Sequence, residues 1–242
     1  MTTTFKIDFD FTSADQKAIL EELQAQGYTL LGYKGATGPN QVTSGVPTWF
    51  ALPFAALFGQ VEIDYTPEYK VYVSEQTTID QNTTIQMAAS SSPTALGNAL
   101  TFNPDGSFTA GGVQNVTPAS LGLFNNSADK VTVGLAGLVN LPGGGQAYQP
   151  FCAFTLNASG SIVMTPLDKI LLVASQRDLQ SGNVQATVSA PGCSFTFTNS
   201  TIEYDLQMVD NTFAITNQPD KAPVIPVSSG STISTIVNST GA

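Results

Sequence analysis

The chain has 242 residues, 42% hydrophobic and only 11% charged, where a charged share of about 25% is usual. Eight Lys and Arg against 18 Asp and Glu give a net charge of −10, and there is no histidine. That balance excludes disorder driven by high charge and a basic face for nucleic acid. It also excludes electrostatic capture by anionic lipid, nucleophile systems that need an imidazole, and most zinc and copper sites.

The first element is "FKIDFDF" (5–11), where Phe5, Ile7, Phe9 and Phe11 alternate with Lys6, Asp8 and Asp10, so a half-buried strand is predicted. Before it there is no basic stretch leading into an apolar one. No signal peptide is read, and the expected location is cytoplasmic at synthesis, with signal-independent export left open. Ser13 and Gln16 fit a capping box, and Ala18, Ile19, Leu20, Leu23 and Ala25 give a helical stripe that Gly27 would end. "YTLLGYK" (28–34) reads as a second strand. The opening is therefore strand–helix–strand.

A loop rich in Gly, Pro, Asn and Ser follows (35–45). The apolar stretch from Val46 to Gly59 is broken by Pro47 and Pro53 and is too short to span a bilayer as a helix. Beyond it the pattern is β almost throughout. "QVEIDY" (60–65) and "YKVYVS" (69–74) alternate across Thr66-Pro67-Glu68, which reads as a turn. Residues 98–110 carry a Pro-Asp-Gly hairpin signal. Further runs occur at 130–141, 149–156, 161–165, 169–176, 183–190, 193–199, 201–209 and 212–217. Strands broken by turns every 8–12 residues or so predict a mainly β protein: a β-sandwich or jelly-roll-like double antiparallel sheet with one N-terminal α-helix. The expected division is one β-rich domain over 1–218, then a Pro-rich connector and C-terminal strand over 219–242.

No phosphate-binding glycine motif, serine elbow or calcium loop is present. Cys152 and Cys193 lie among strand-like residues and read as two buried thiols. Glu62 with Asp64, Glu203 with Asp205, and Asp8 with Asp10 each alternate along a strand and share a face. They read as solvated strand faces, and their spacing alone does not make a glycosidase pair. The short echo "VEIDY" and "IEYDL" is too brief to be a duplication. Trp49, Tyr65, Tyr69 and Tyr72 read first as core. Their alternative is a sugar-binding or partner-binding platform, since a ring with a polar tip suits a half-wet surface.

Between Val71 and Asp129 there is no Lys or Arg, and residues 79–89 alternate loosely. A membrane-inserting hairpin would need a more apolar face than Gln81 and Thr83 allow, so an exposed β-layer with loops is predicted. At the other end, Pro219, Pro223 and Pro226 precede "STISTIVNS" (231–239), which reads as a strand on an extended arm. Its residues Ser231, Ile233, Ile236 and Asn238 would add to the sheet edge of a second copy. The resulting expectation is a non-catalytic protein with no cofactor and no metal, whose main partner is itself. The alternative is a toxin-like or lectin-like protein on membranes or glycans.

Overall fold

The computed structural model describes residues 3–239. β1 (Phe5–Asp10), α1 (Ala14–Ala25) and β2 (Thr29–Thr37) form the predicted opening. β3 (Val46–Pro47), β4 (Phe50–Pro53) and a single 3₁₀ turn precede the long β5 (Gln60–Ser74). β6 (Met87–Ser90), β7 (Ala99–Phe102), β8 (Phe108–Ala110), β9 (Leu121–Asn125), β10 (Val131–Leu141), β11 (Gly145–Pro150) and β12 (Phe154–Leu156) follow. The chain continues through β13 (Ser161–Ser175), β14 (Val184–Gln185), β15 (Gly192–Thr196), β16 (Glu203–Met208), β17 (Ile215–Asn217), β18 (Ile225–Val227) and α2 (Ile233–Val237).

The strands make two large sheets, packed as a β-sandwich. The first runs β11-β10-β5-β1-β16-β17, with β12 on β10 and β6 on β5. The second runs β18-β15-β13-β9-β7-β8, with β2 on β13 and β4 beyond it. Pairing is antiparallel except for β1–β16 and β7–β9, which are parallel. Between the sheets lie Ile7, Phe9, Ile63, Tyr65 and Leu206 from one side and Leu30, Phe50, Ile170, Leu172 and Phe195 from the other. A second core covers the outer face of the β2–β13 sheet and contains Leu31, Tyr33, Leu171, Val173, Ile233 and Val237. β2 and β13 are buried on both faces, which is why "TLLGY" and "KILLVAS" are nearly continuous apolar runs.

Helix α1 keeps half of its predicted cap. Ser13 Oγ accepts from Gln16 N at 3.3 Å, but the Gln16 amide does not return to Ser13. It bonds both the carbonyl and the N–H of Met208 and so pins the helix start to β16. Ile19, Leu20 and Leu23 are buried, and Gly27 ends the helix with φ +68°.

The predicted turn at 66–68 and the break between the runs 161–165 and 169–176 are bulges instead. Residues 60–74 form one strand, and across from it Leu138 pairs with Thr66 while Gly137 pairs with Tyr69. Pro67 and Glu68 are the extra residues. Residues 161–175 also form one strand, with a register shift between Pro166 and Ile170. Proline lacks the ladder N–H, so inside a sheet it is confined to such irregularities. The two bulges share the pattern T-P-x-x-K, "TPEYK" (66–70) and "TPLDK" (165–169), and each sits in a central strand of its sheet. The echo read from sequence has a different meaning. "VEIDY" and "IEYDL" lie in β5 and β16, on opposite sides of β1.

The C-terminal strand is a correction. Residues 233–237 are helical, and β18 rather than 231–239 supplies the last strand, on β15. Ile233, Ile236 and Val237 repeat at helical spacing, and Ile233 and Val237 are fully buried against β2 and β13 of the same chain. Asn238 Oδ1 accepts from Ala36 N at 3.0 Å. These residues are therefore spent within the fold, and the intermolecular arm is not what the structure builds. The termini of the predicted division, residues 1–2 and 240–242, lie outside the described residues.

Residues 77–94 contain no continuous strand through 79–89. Ile79 and Ile85 anchor an irregular loop in a third cluster with Tyr72, Ala136, Ala153 and Val184; β6 pairs with the end of β5, and Thr84 and Thr94 make single bridges to Asn183 and Tyr69. No helix among the described residues is long and apolar enough to cross a membrane.

Candidate functional site

Two arrangements of ionisable groups emerge. The first is on the solvent face of β5, β1 and β16. The register sets Asp8 directly opposite Glu62 on one side and Asp205 on the other, and sets Lys6 between Asp64 and Glu203. Strand alternation puts all of these outward, as the sequence predicts, but only the non-local pairing makes Glu62, Asp8 and Asp205 a row. Carboxylate oxygens of Asp8, Glu203 and Asp205 lie within 4.8 Å of one another. A shallow depression lined by Asp8, Asp10, Gln60, Glu62, Asp205 and Gln218 opens over the row, and no Trp or Tyr lines it. Lys6 pairs with Glu62, and Lys221 pairs with Asp205 at 3.0 Å. Asp64 takes one hydrogen bond, from Asn140 Nδ2 at 3.3 Å.

Like charges directly opposite destabilise a sheet. Partial burial, then the charges of Glu62 and Glu203, push the Asp8 carboxyl up to about 6. The folded chain therefore holds this proton more tightly than the unfolded chain does. The stabilisation is present below the ordinary value of 3.8 and is lost as pH rises through about 6. Asp8→Asn is expected to raise stability at pH 7 by about 0.5–1 kcal/mol, allowing for solvent screening. It should also flatten the decline between pH 4 and 6. Chemical denaturation across that range measures both, and an unchanged slope would show that the row carries no strain.

The second arrangement is buried between the sheets, where both proline bulges meet. Lys34 of β2 is fully buried. Its ammonium donates to Leu167 O at 2.6 Å and to Asp168 Oδ1 at 2.9 Å. The bulge in β13 brings Asp168 to this position, with 37% of its side chain exposed. The nitrogen lies 4.2 Å from the centroid of the Tyr65 ring, 5.7 Å from that of Phe151 and 5.9 Å from that of Trp49. Tyr65 O–H donates to Asp168 Oδ1 at 2.9 Å, so Tyr69 must donate in turn to the Tyr65 oxygen, with which it is in contact. Burial pulls the Lys34 ammonium down to about 8 against the opposing pull of Asp168, and burial raises the Tyr65 and Tyr69 hydroxyls.

This cluster corrects the platform reading of the aromatics. Trp49, Tyr65 and Tyr72 are fully buried and Tyr69 is 2% exposed. Trp49 Nε1 donates to Gly137 O at 3.3 Å, and Tyr72 O–H donates to Cys152 O at 2.7 Å. Their polar tips are used inside the core, and none is available to a sugar. Cys152 and Cys193 are free and buried as predicted, and burial pushes the Cys152 thiol up to about 12. Sequence reasoning missed Lys34 and Asp168. The one signal was a single lysine inside the apolar run "TLLGYKGA", where a solvated face had no room.

The chain matches no family model, and comparisons with curated proteins and with solved structures returned no significant match.

Proposed function

We propose that the protein is a non-catalytic β-sandwich building block that acts by self-association through a sheet edge. The observation that carries this reading is the free edge of β8, the last strand of the second sheet. Thr101 pairs with Thr109, flanked by bonds from Gly111 N to Ala99 O and from Asn103 N to Ser107 O. By antiparallel alternation, the N–H and C=O groups of Phe108 and Ala110 then point away from β7. Such an edge is a template for another strand, and natural proteins usually guard it with lysine, proline or a bulge. β8 has its shortness, three residues, but no lysine, proline or bulge, and no Lys or Arg occurs between Val71 and Asp129.

The charge distribution supports the same edge. A chain with net charge −10 repels its copies, and the β7–β8 hairpin carries only Asp105, at its tip. Antiparallel pairing of two β8 strands would join the least repulsive parts of the surface, and salt should strengthen it. The reading also accords with the buried thiols and buried tyrosines, which leave few reactive groups outside.

Ala110→Pro removes one outward N–H and none that β7 uses. The variant is expected to fold normally yet run as a monomer, by light scattering coupled to size exclusion, where the parent assembles. An assembly of unchanged size in the variant, or a monomeric parent at high salt, sinks the proposal. Leakage of liposomes or retention on a glycan array by the monomer would favour a cell-surface role instead.

A further inference from the structure

We propose that Lys34 and Asp168 condense to an intramolecular amide that covalently ties β2 to β13. The bond would form whether or not the chain self-associates. Its reactants are already in place: a primary amine 2.9 Å from one carboxyl oxygen, with the carboxyl carbon one bond further on. Holding reactants in this way turns a bimolecular step into an effectively unimolecular one. The walls are Trp49, Tyr65 and Phe151, and burial among them lowers the Lys34 ammonium, so the amine gives up its proton more readily than a solvated lysine does.

The chemistry balances without a co-reactant. The surplus proton of the ammonium passes to the carboxylate, giving –NH₂ and –COOH. The nitrogen lone pair attacks Cγ while the Tyr65 O–H, held by Tyr69 behind it, donates to Oδ1 and stabilises the negative charge that develops there. The other carboxyl oxygen leaves as water with a proton from nitrogen. One C–N bond forms, one C–O bond breaks, and one positive and one negative charge disappear together. The exposed third of Asp168 gives the water a way out.

The surroundings also suit the product. An amide at this place has one N–H and one C=O. Leu167 O, now 2.6 Å from the nitrogen, accepts the N–H, and Tyr65 O–H, now on Oδ1, donates to the C=O. Every polar partner that serves the ion pair serves the amide, and the cost of holding charges in the core is gone.

Mass spectrometry of the purified, denatured full chain decides the matter. The expected mass is below that of the sequence by one water, about 18 Da. Trypsin should fail to cut after Lys34, and fragmentation should find a branched peptide joining residues 34 and 168. Lys34→Met should restore the full mass, and Tyr65→Phe should slow the loss during incubation after refolding. Full sequence mass with cleavage after Lys34, even after long incubation, overturns the proposal. So does a water loss that fragmentation assigns to Asp105-Gly106, where an Asp-Gly pair can lose water by closing a ring on its own backbone.

Discussion

Asp168→Ala is expected to leave the protein about 3 kcal/mol less stable at pH 7 than Lys34→Met does, although both remove the same pair. The two partners are not buried alike. Asp168 has 37% of its side chain exposed and Lys34 none. With methionine at position 34, the Asp168 carboxylate turns to water and still accepts from Tyr65, while an apolar chain of similar length fills the space among Trp49, Tyr65 and Phe151. With alanine at position 168, the Lys34 amine remains in the core with only Leu167 O and the aromatic faces as partners. Breaking a buried pair by removing the better solvated member leaves the charge that water cannot reach. Both variants lose any covalent tie between the two side chains, so the difference between them reports on burial alone.

The pH dependence identifies the cause. Burial lowers the Lys34 pKa in the folded chain to about 8 even with Asp168 present, and the unfolded chain keeps the proton up to its ordinary 10.5. Without Asp168 the largest pull opposing the burial is gone. Between those limits the unfolded chain binds more protons, so the stability of Asp168→Ala should climb from pH 7 toward pH 10. Lys34→Met, with no amine, should not climb. Near and above 10.0, the ordinary tyrosine value, the raised pKa values of Tyr65 and Tyr72 reverse the trend, because the unfolded chain then loses protons that the folded chain retains. Guanidinium titrations of the two variants at several pH values measure this. Equal stabilities at pH 7, or parallel curves up to pH 10, would falsify the account of a stranded charge.

What the sequence discloses follows the range of the interactions. Helix α1 and the β7–β8 hairpin are read correctly because Ser13, Gly27 and Pro104-Asp105-Gly106 act on their immediate neighbours. The alternation of β1, β5 and β16 shows which face Asp8, Glu62 and Asp205 occupy. It cannot show that they form one row, because that row depends on pairing between residues 8, 62 and 205. The prolines at 67 and 166 mislead for a related reason. In isolation each marks a turn, but here long partner strands β10 and β2 continue past them and hold the chain straight across a bulge. Those bulges then bring Asp168 and Tyr69 to Lys34, so the buried cluster is two steps of tertiary structure away from any local motif. In the C-terminal segment, β-branched residues suggest a strand, and the apolar face of β2 and β13 overrides that preference.

That last override can be tested at a single backbone position. Gly35 lies in β2, and a Cβ placed there would come within 2.0 Å of the Val237 carbonyl oxygen and 2.8 Å of its carbon. Real Cβ atoms do not approach backbone so closely, so the strand or helix α2 must move. β2 is held by β13 at Lys34 and Ala36, on either side of Gly35, and by β4 over Thr29–Gly32, while α2 is a single short helix with Thr232 offering it no side-chain cap. The helix is the part that yields. Gly35→Ala is expected to cost about 1–3 kcal/mol by overpacking, despite alanine being otherwise the better strand residue. The loss should appear as faster hydrogen exchange over residues 232–238, while Trp49, on the other face of the sheet, keeps its buried fluorescence. If exchange in that segment is unchanged and the loss is spread through β2 and β13 instead, then α2 is not the weaker partner and the segment is part of the cooperative core.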